Sequence, residues 1–153
     1  MHIVFFKKSL TSNFKNTVEK ILFFNAHQHR RKKQIEKTIE KYGIPTIQIE
    51  NDRLKIVFDH FIHYPSLYVL DGNSLNAALL GLLIYKIDAD ICQIIHIAIN
   101  EYCMSKIKEE ELILFRLLEK LRKEMAQEKI SYIKLPYSEK KVAVEIKFVN
   151  VWV

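Results

Sequence analysis

Glycine is scarce in this chain: only Gly43, Gly72 and Gly81 occur among 153 residues, where an average sequence carries roughly 7%. Few backbone positions can therefore require a positive φ. Cysteine is also sparse, with Cys92 and Cys103 forming no Cys-x-x-Cys pair. This excludes a disulfide scaffold and, with no signal peptide, points to reduced thiols in a cytoplasmic protein. The longest apolar run, Ala77 to Tyr85, is too short to span a bilayer as a helix. No metal-ligand set stands at a standard spacing. The nearest, His60-x-x-His63, shares its segment with Phe58, Phe61 and Tyr64 and reads as a half-buried aromatic turn.

What is present suits one folded domain over residues 1–153, with 49% hydrophobic and 27% charged residues. The net charge of +6 permits an anionic partner. Much of the excess lies in His27-Gln-His-Arg-Arg-Lys-Lys33, a run that suits a nucleic-acid patch or the solvated end of a helix.

The first strand is expected in His2 to Phe6. Thr11 or Ser12 can cap a helix whose apolar stripe is Phe14, Val18, Ile21 and Leu22. A second helix runs through Ile35 and Ile39 to Tyr42, where Gly43 is the left-handed cap and Pro45 forbids continuation. From Thr46 the period becomes two. Thr46 to Glu50 and Leu54 to Phe58 alternate around Asn51-Asp52, Leu67 to Leu70 leads into the turn Asp71 to Ser74, and Ala77 to Ile87 and Ile91 to Ile99 flank Asp88-Ala-Asp90. The spacing predicts an antiparallel meander through the middle of the chain. Leu114, Leu117, Leu118, Leu121 and Met125 then mark a long amphipathic helix, with Glu109 to Glu111 at its start and Lys120, Arg122 and Lys123 toward its end. Tyr132 to Leu135 resumes the sheet. Ser138 could cap a short helix through Val142 and Ile146, while Val142, Val144, Ile146 and Phe148 also alternate as a strand does.

This order, and above all Ala89-Asp-Ile-Cys-Gln-Ile-Ile-His-Ile-Ala-Ile-Asn100 followed by the long helix and Tyr132 to Leu135, resembles the GNAT superfamily of N-acetyltransferases. The resemblance implies an α+β fold, a mostly antiparallel central sheet flanked by helices with a βαβ unit near the C-terminus. It implies acetyl-CoA in the splay between the strand of Ile97 and Ile99 and the strand at Tyr132. In that family the intervening loop carries Arg/Gln-x-x-Gly-x-Gly/Ala, whose amides hold the pyrophosphate. Here Met104, Ile107 and Glu109 stand where the arginine and the two glycines belong, and a carboxylate beside those amides competes with the anion. Ser105, Lys106, Ile107 and Lys108 are left as the phosphate-binding positions.

The family also needs a base for the acceptor amine, and the titratable groups in or beside this strand are His96 and Glu101. The usual tyrosine acid falls near Lys147 or Phe148, leaving Tyr137 as the substitute by proximity. Three functions stay open on the sequence: a divergent N-acyltransferase acting on an unidentified amine, a catalytically inactive GNAT-like binding or assembly module, and a nucleic-acid binder using Arg30 to Lys33. The valine-rich end, Val149 to Val153, could pair two copies as an edge strand.

Overall fold

The computed structural model describes residues 3–23, 32–104, 107–136, 138 and 140–145. His2, residues 27–31 of the basic run, Ser105, Lys106, Tyr137 and the tail from Ile146 lie outside these. Among the described residues, helices α1 (Lys15–Phe23), α2 (Lys32–Tyr42) and α3 (Ile107–Gln127) accompany nine strands, β1 (Phe5–Lys7), β2 (Pro45–Glu50), β3 (Arg53–Phe58), β4 (Ile62–His63), β5 (Ser66–Leu70), β6 (Leu79–Asp88), β7 (Ile91–Ile99), β8 (Tyr132–Lys134) and β9 (Lys141–Ala143).

The expected single meander is divided. Strands β2, β3 and β4 form a small antiparallel sheet of their own, while the main sheet has the order β1-β5-β6-β7-β8-β9. The division falls between β4 and β5, at Tyr64-Pro65; just before it, Asp59 and His60 take positive φ (53° and 72°) in the turn from β3 to β4. The tight β3–β4 turn there folds the chain back before β5 begins. A bridge from Thr11 to Arg53 and the bonds Leu54 N–H to Leu10 O (2.8 Å) and Ser12 N–H to Asp52 O (3.0 Å) join the small sheet to the N-terminal segment.

Within the main sheet all neighbours are antiparallel except β7 and β8. A parallel pair needs a crossover, and α3 supplies it. One face of the sheet packs against α1, with Phe14, Val18, Ile21, Tyr68, Leu82, Ile84, Ile95 and Ala98 in a core that also takes in Leu54, Ile56 and Phe58 of β3. The other face receives α3 through Ile113, Leu117, Leu118, Leu121 and Met125, against Val69, Leu83, Tyr85, Cys92, Ile94 and Ile133. The chain is thus a mixed α/β fold, a central mixed sheet with helices on both faces, in the element order that the resemblance implied.

The start of the first helix is a one-turn 3-10 segment, Ser12–Phe14, with Thr11 in the extended cap position and no side-chain capping bond. The hydroxyl of Ser12 bonds the carboxylate of Asp52 instead. Glu109 and Glu110 occupy the first turn of α3, but its last turn holds no basic residue, because the helix continues beyond Lys123. Arg122 serves packing: it pairs with Glu119 at 2.9 Å and donates to Val144 O at 3.2 Å, tying the chain after β9 to α3. In the tail, Lys140 N–H bonds Ser138 Oγ at 3.0 Å, and the chain then enters a strand, with Val142 opposite Ile133.

Candidate functional site between the splayed strands

The β7–β8 ladder is short. Its register runs Ile91 to Tyr132, Cys92 to Ile133 and Gln93 to Lys134, where it stops among the described residues although β7 continues to Ile99. Two local features end it. Pro136 follows β8 closely and has no N–H to give. On β7 the pairing with β6 shifts between Ile84 and Tyr85, which face His96 and Ile94, so Ile95 is an extra residue. Such a bulge bends the strand and strengthens its twist, and because β8 ends at Lys134 the second half of β7 has no ladder partner on that side among the described residues.

The bulge also decides where His96 points. Cys92 and Ile94 pack toward α3, whereas Ile95 and Ala98 pack toward α1. In a regular strand His96 would share the face of Ile94. The extra residue turns it to the opposite face, where it is 8% exposed and borders a void of about 20 Å³ with Leu22, Thr38, Ile39, Pro45, Phe58 and Ile84. That volume has room for about one water.

Gln93 sits at the apex of the splay. Its Nε2 donates to Ile94 O at 2.8 Å and approaches Leu135 O at 3.5 Å. The amide thus touches a carbonyl just past the ladder on each strand and stands where the next rung would be.

At the far end of β7, Asn100 is 4% exposed and fixes the turn into α3. Its Nδ2 donates to Leu79 O at 2.8 Å and lies 3.2 Å from Cys103 Sγ, while its Oδ1 accepts from Tyr102 N–H at 3.2 Å. The segment Glu101–Cys103 is a 3-10 turn, and Lys20 of α1 lies 4.0 Å from the centre of the Tyr102 ring. Behind this turn, Cys103, Met104, Glu109, Ile113 and Arg116 line a cavity of about 200 Å³ that reaches Val4 and Leu80. Burial first, then the Asp71 carboxylate, raise the Cys103 thiol above its ordinary pKa, which disfavours a nucleophilic thiolate.

The structure therefore separates the two bases named from the sequence. About 13 Å of strand lies between His96 and Asn100 at the usual rise, and Glu101 is beyond that, so His96 and Glu101 do not meet at one reacting atom. Ile97 and Ile99 lie on the splayed half of β7, where Ile97 is half-buried and Ile99 is buried against Gly81 in the register with β6. Lys108 is exposed on the first turn of α3. Ser105, Lys106 and Tyr137 lie outside the described residues, and the side chain of Ile107 is not described.

Sequence reasoning passed over Gln93 and Asn100. Each is a polar residue in or ending a strand otherwise made of Ile, Ala and Cys, and an amide in such a place needs a partner when buried. That was the available signal. Among the described residues no cluster of three or more His, Cys, Asp and Glu could hold a metal, and no helix is long and apolar enough to cross a membrane.

No family model and no curated protein sequence matches the chain. Among solved structures it is similar to the catalytic domain of Tetrahymena GCN5 histone acetyltransferase in complex with coenzyme A. The identity is 16% over 87% of this chain and 68% of that chain, with a TM-score of 0.46.

Proposed function

We propose that the chain is a divergent N-acyltransferase that takes acetyl-CoA into the cleft between β7 and β8 and passes the acetyl group to an amine. The observation that carries this reading is the early end of the β7–β8 ladder, produced by the bulge at Ile95 and by Pro136 after β8. A splayed parallel pair offers main-chain donors and acceptors along both walls of a cleft. An extended ligand with its own amides, such as the pantetheine arm of a coenzyme A thioester, can pair with those groups as an added strand does. Lys108, with Ser105, Lys106 and the amide of Ile107, would face the phosphates where the cleft reaches the start of α3.

In this reading the amine nitrogen attacks the thioester carbonyl, the carbon–sulfur bond breaks, and the thiolate leaves with the electron pair. The amine must also lose a proton. In this reading the proton passes to His96, beside the bulge, through a water in the void that His96 borders, and Glu101, further along the chain, takes no part in that step. The departing thiolate takes up a proton from Tyr137 or from solvent.

A second reading, a binding module without catalysis, is favoured by one specific observation: the first turn of α3 carries Glu109 and Glu110. Their charge complements the helix dipole in the place a phosphate would take. Amide chemical shifts recorded during titration with acetyl-CoA separate the two. The enzyme reading expects saturable shifts along Ile94 to Ile99 and Tyr132 to Leu135; their absence at millimolar ligand would leave the module.

A further inference from the structure

The groove where the two sheets meet plays no part in the proposed acyl transfer, and its lining combines charged and hydroxyl groups with apolar surface from Leu54 and Tyr68. Arg53 and Lys55 project from one side of β3 while Leu54 and Ile56, on the other side, enter the core. Ser66 and Tyr68 stand two residues apart on β5, with Tyr68 packed in the same core as Leu54 and Ile56, and His63 of β4 also borders the groove. Together these side chains line a cavity of about 280 Å³. Its floor is unusual: Ser66 is 5% exposed, and among the described residues its hydroxyl has no well-directed hydrogen-bond partner, only the neighbouring Tyr68 hydroxyl nearby. A buried hydroxyl left in this state costs stability unless something completes it.

The electrostatics favour an anion. One carboxylate, Glu50, also lines the groove and lies 3.0 Å from Lys55; both side chains are well exposed, so the pair is weak and exchangeable, and the cations of the groove still outnumber it. Lys8 lends the groove only its stem, since its ammonium is turned to Glu124 at 3.6 Å. Arg53 supplies a planar fork suited to an oxyanion. Donor groups on Asn51, Arg53, Lys55 and Ser66 outnumber what a carboxylate can accept in one place and suit a tetrahedral phosphate. The cavity is larger than a bare phosphate, so an attached organic body fits. A nucleic-acid strand does not suit it, because tight phosphate-backbone binding draws on a row of about six to ten cations, and the floor of this groove is a buried hydroxyl.

We propose that this groove binds a small organic phosphate, with Arg53 and Lys55 on the phosphate oxygens and the Ser66 hydroxyl completing its bond on the floor. The ligand then bridges β3 of the small sheet to β5 of the main sheet. The test is a titration of the full chain with ribose 5-phosphate and with inorganic phosphate, read by calorimetry and amide shifts, for the wild type, Arg53→Gln and Ser66→Ala. Saturable binding of ribose 5-phosphate is expected, with shifts at Arg53, Lys55 and Ser66. Arg53→Gln should weaken it roughly tenfold or more, as loss of a charged hydrogen bond does. Ser66→Ala should weaken it less while leaving the ligand-free melting temperature unchanged or higher. Arg53→Gln, being exposed, keeps the test valid if Ser66→Ala fails to fold. The proposal is overturned by absence of saturable binding, by equal affinity in wild type and Arg53→Gln, or by tighter binding of a single-stranded oligonucleotide than of ribose 5-phosphate. Because the groove lies apart from the β7–β8 cleft, acetyl-CoA affinity should be the same in Arg53→Gln as in the wild type, whatever that affinity is.

Discussion

Asn100 ends β7 and begins the turn before α3, and both ends of its amide are used. Replacing it by alanine would leave Leu79 O and Tyr102 N–H without their partner, which should lower unfolding free energy by about 2 kcal/mol. Equilibrium denaturation measures this directly. Gly43 makes a sharper case, since its φ is +92° and an added Cβ would lie 2.8 Å from Asp59 Cβ. Gly43→Ala should therefore cost about 2 kcal/mol, the usual scale of backbone strain, whereas a glycine used only for flexibility would lose almost nothing. Burial acts on two acids of the α3 face. Burial chiefly, with Glu128 nearby, pushes the Cys92 thiol from 9.0 up to about 12. Burial, then Glu124, Cys92 and Glu128, pushes Tyr85 from 10.0 up to about 12. In both cases the unfolded chain releases its proton first, so the folded state binds more protons between these limits and stability must fall as pH rises through them. A urea midpoint that is steady below pH 9 and declines between pH 9 and 12 is expected, with a smaller decline in Cys92→Ala. The cap at Gly43 was legible in the sequence because Tyr42-Gly43 precedes a proline by two residues. The roles of Gln93 and Asn100 were not, because each also reaches a main-chain carbonyl distant in sequence, Leu135 O for Gln93 and Leu79 O for Asn100.

The bulge in β7 is the element on which the candidate site depends. Ile94-Ile-His96 shows no alternation, because both faces of a central strand are buried and apolar residues serve either side equally. Nothing in the composition of the segment could therefore reveal an extra residue, or that His96 faces α1 rather than α3. Deleting Ile95 should restore regular pairing with β6 while His96 and every later residue keep their faces. Because one buried Ile side chain is lost, unfolding free energy should drop by about 3 kcal/mol. If the splay arises from the bulge, acetyl-CoA affinity should also fall by at least tenfold; a folded deletion variant that keeps wild-type affinity would remove the bulge from the site. Other elements were easy to read. The β2–β3 hairpin closes on Asn51 and Asp52, both at positive φ (51° and 61°), a conformation asparagine and aspartate tolerate better than most residues. The long helix announced itself through Leu117, Leu118, Leu121 and Met125, all completely buried.

At the scale of the whole molecule, the mixed sheet between helices was legible from the change of period along the chain, and the parallel β7–β8 pair from the helix placed before Tyr132. The separation of β2, β3 and β4 into a second sheet was not, since alternating strands specify a buried face but not which neighbour they pair with. It matters for function because the junction of the two sheets makes the Arg53–Ser66 groove at β5, while the β7–β8 cleft lies further along the main sheet, beyond β6. Any ligand that binds only the folded chain raises its stability by mass action, by about 2.7 kcal/mol at a hundred times its dissociation constant. Acetyl-CoA and ribose 5-phosphate should thus each raise the melting temperature, and their shifts in unfolding free energy should add if the sites are independent. The most direct measurement is calorimetric titration of the protein with acetyl-CoA, alongside desulfo-CoA and ATP. Micromolar binding of both CoA ligands, with ATP at least tenfold weaker, is the result expected if the splayed strands hold the pantetheine arm. No heat at millimolar acetyl-CoA, or equal binding of ATP, would contradict it.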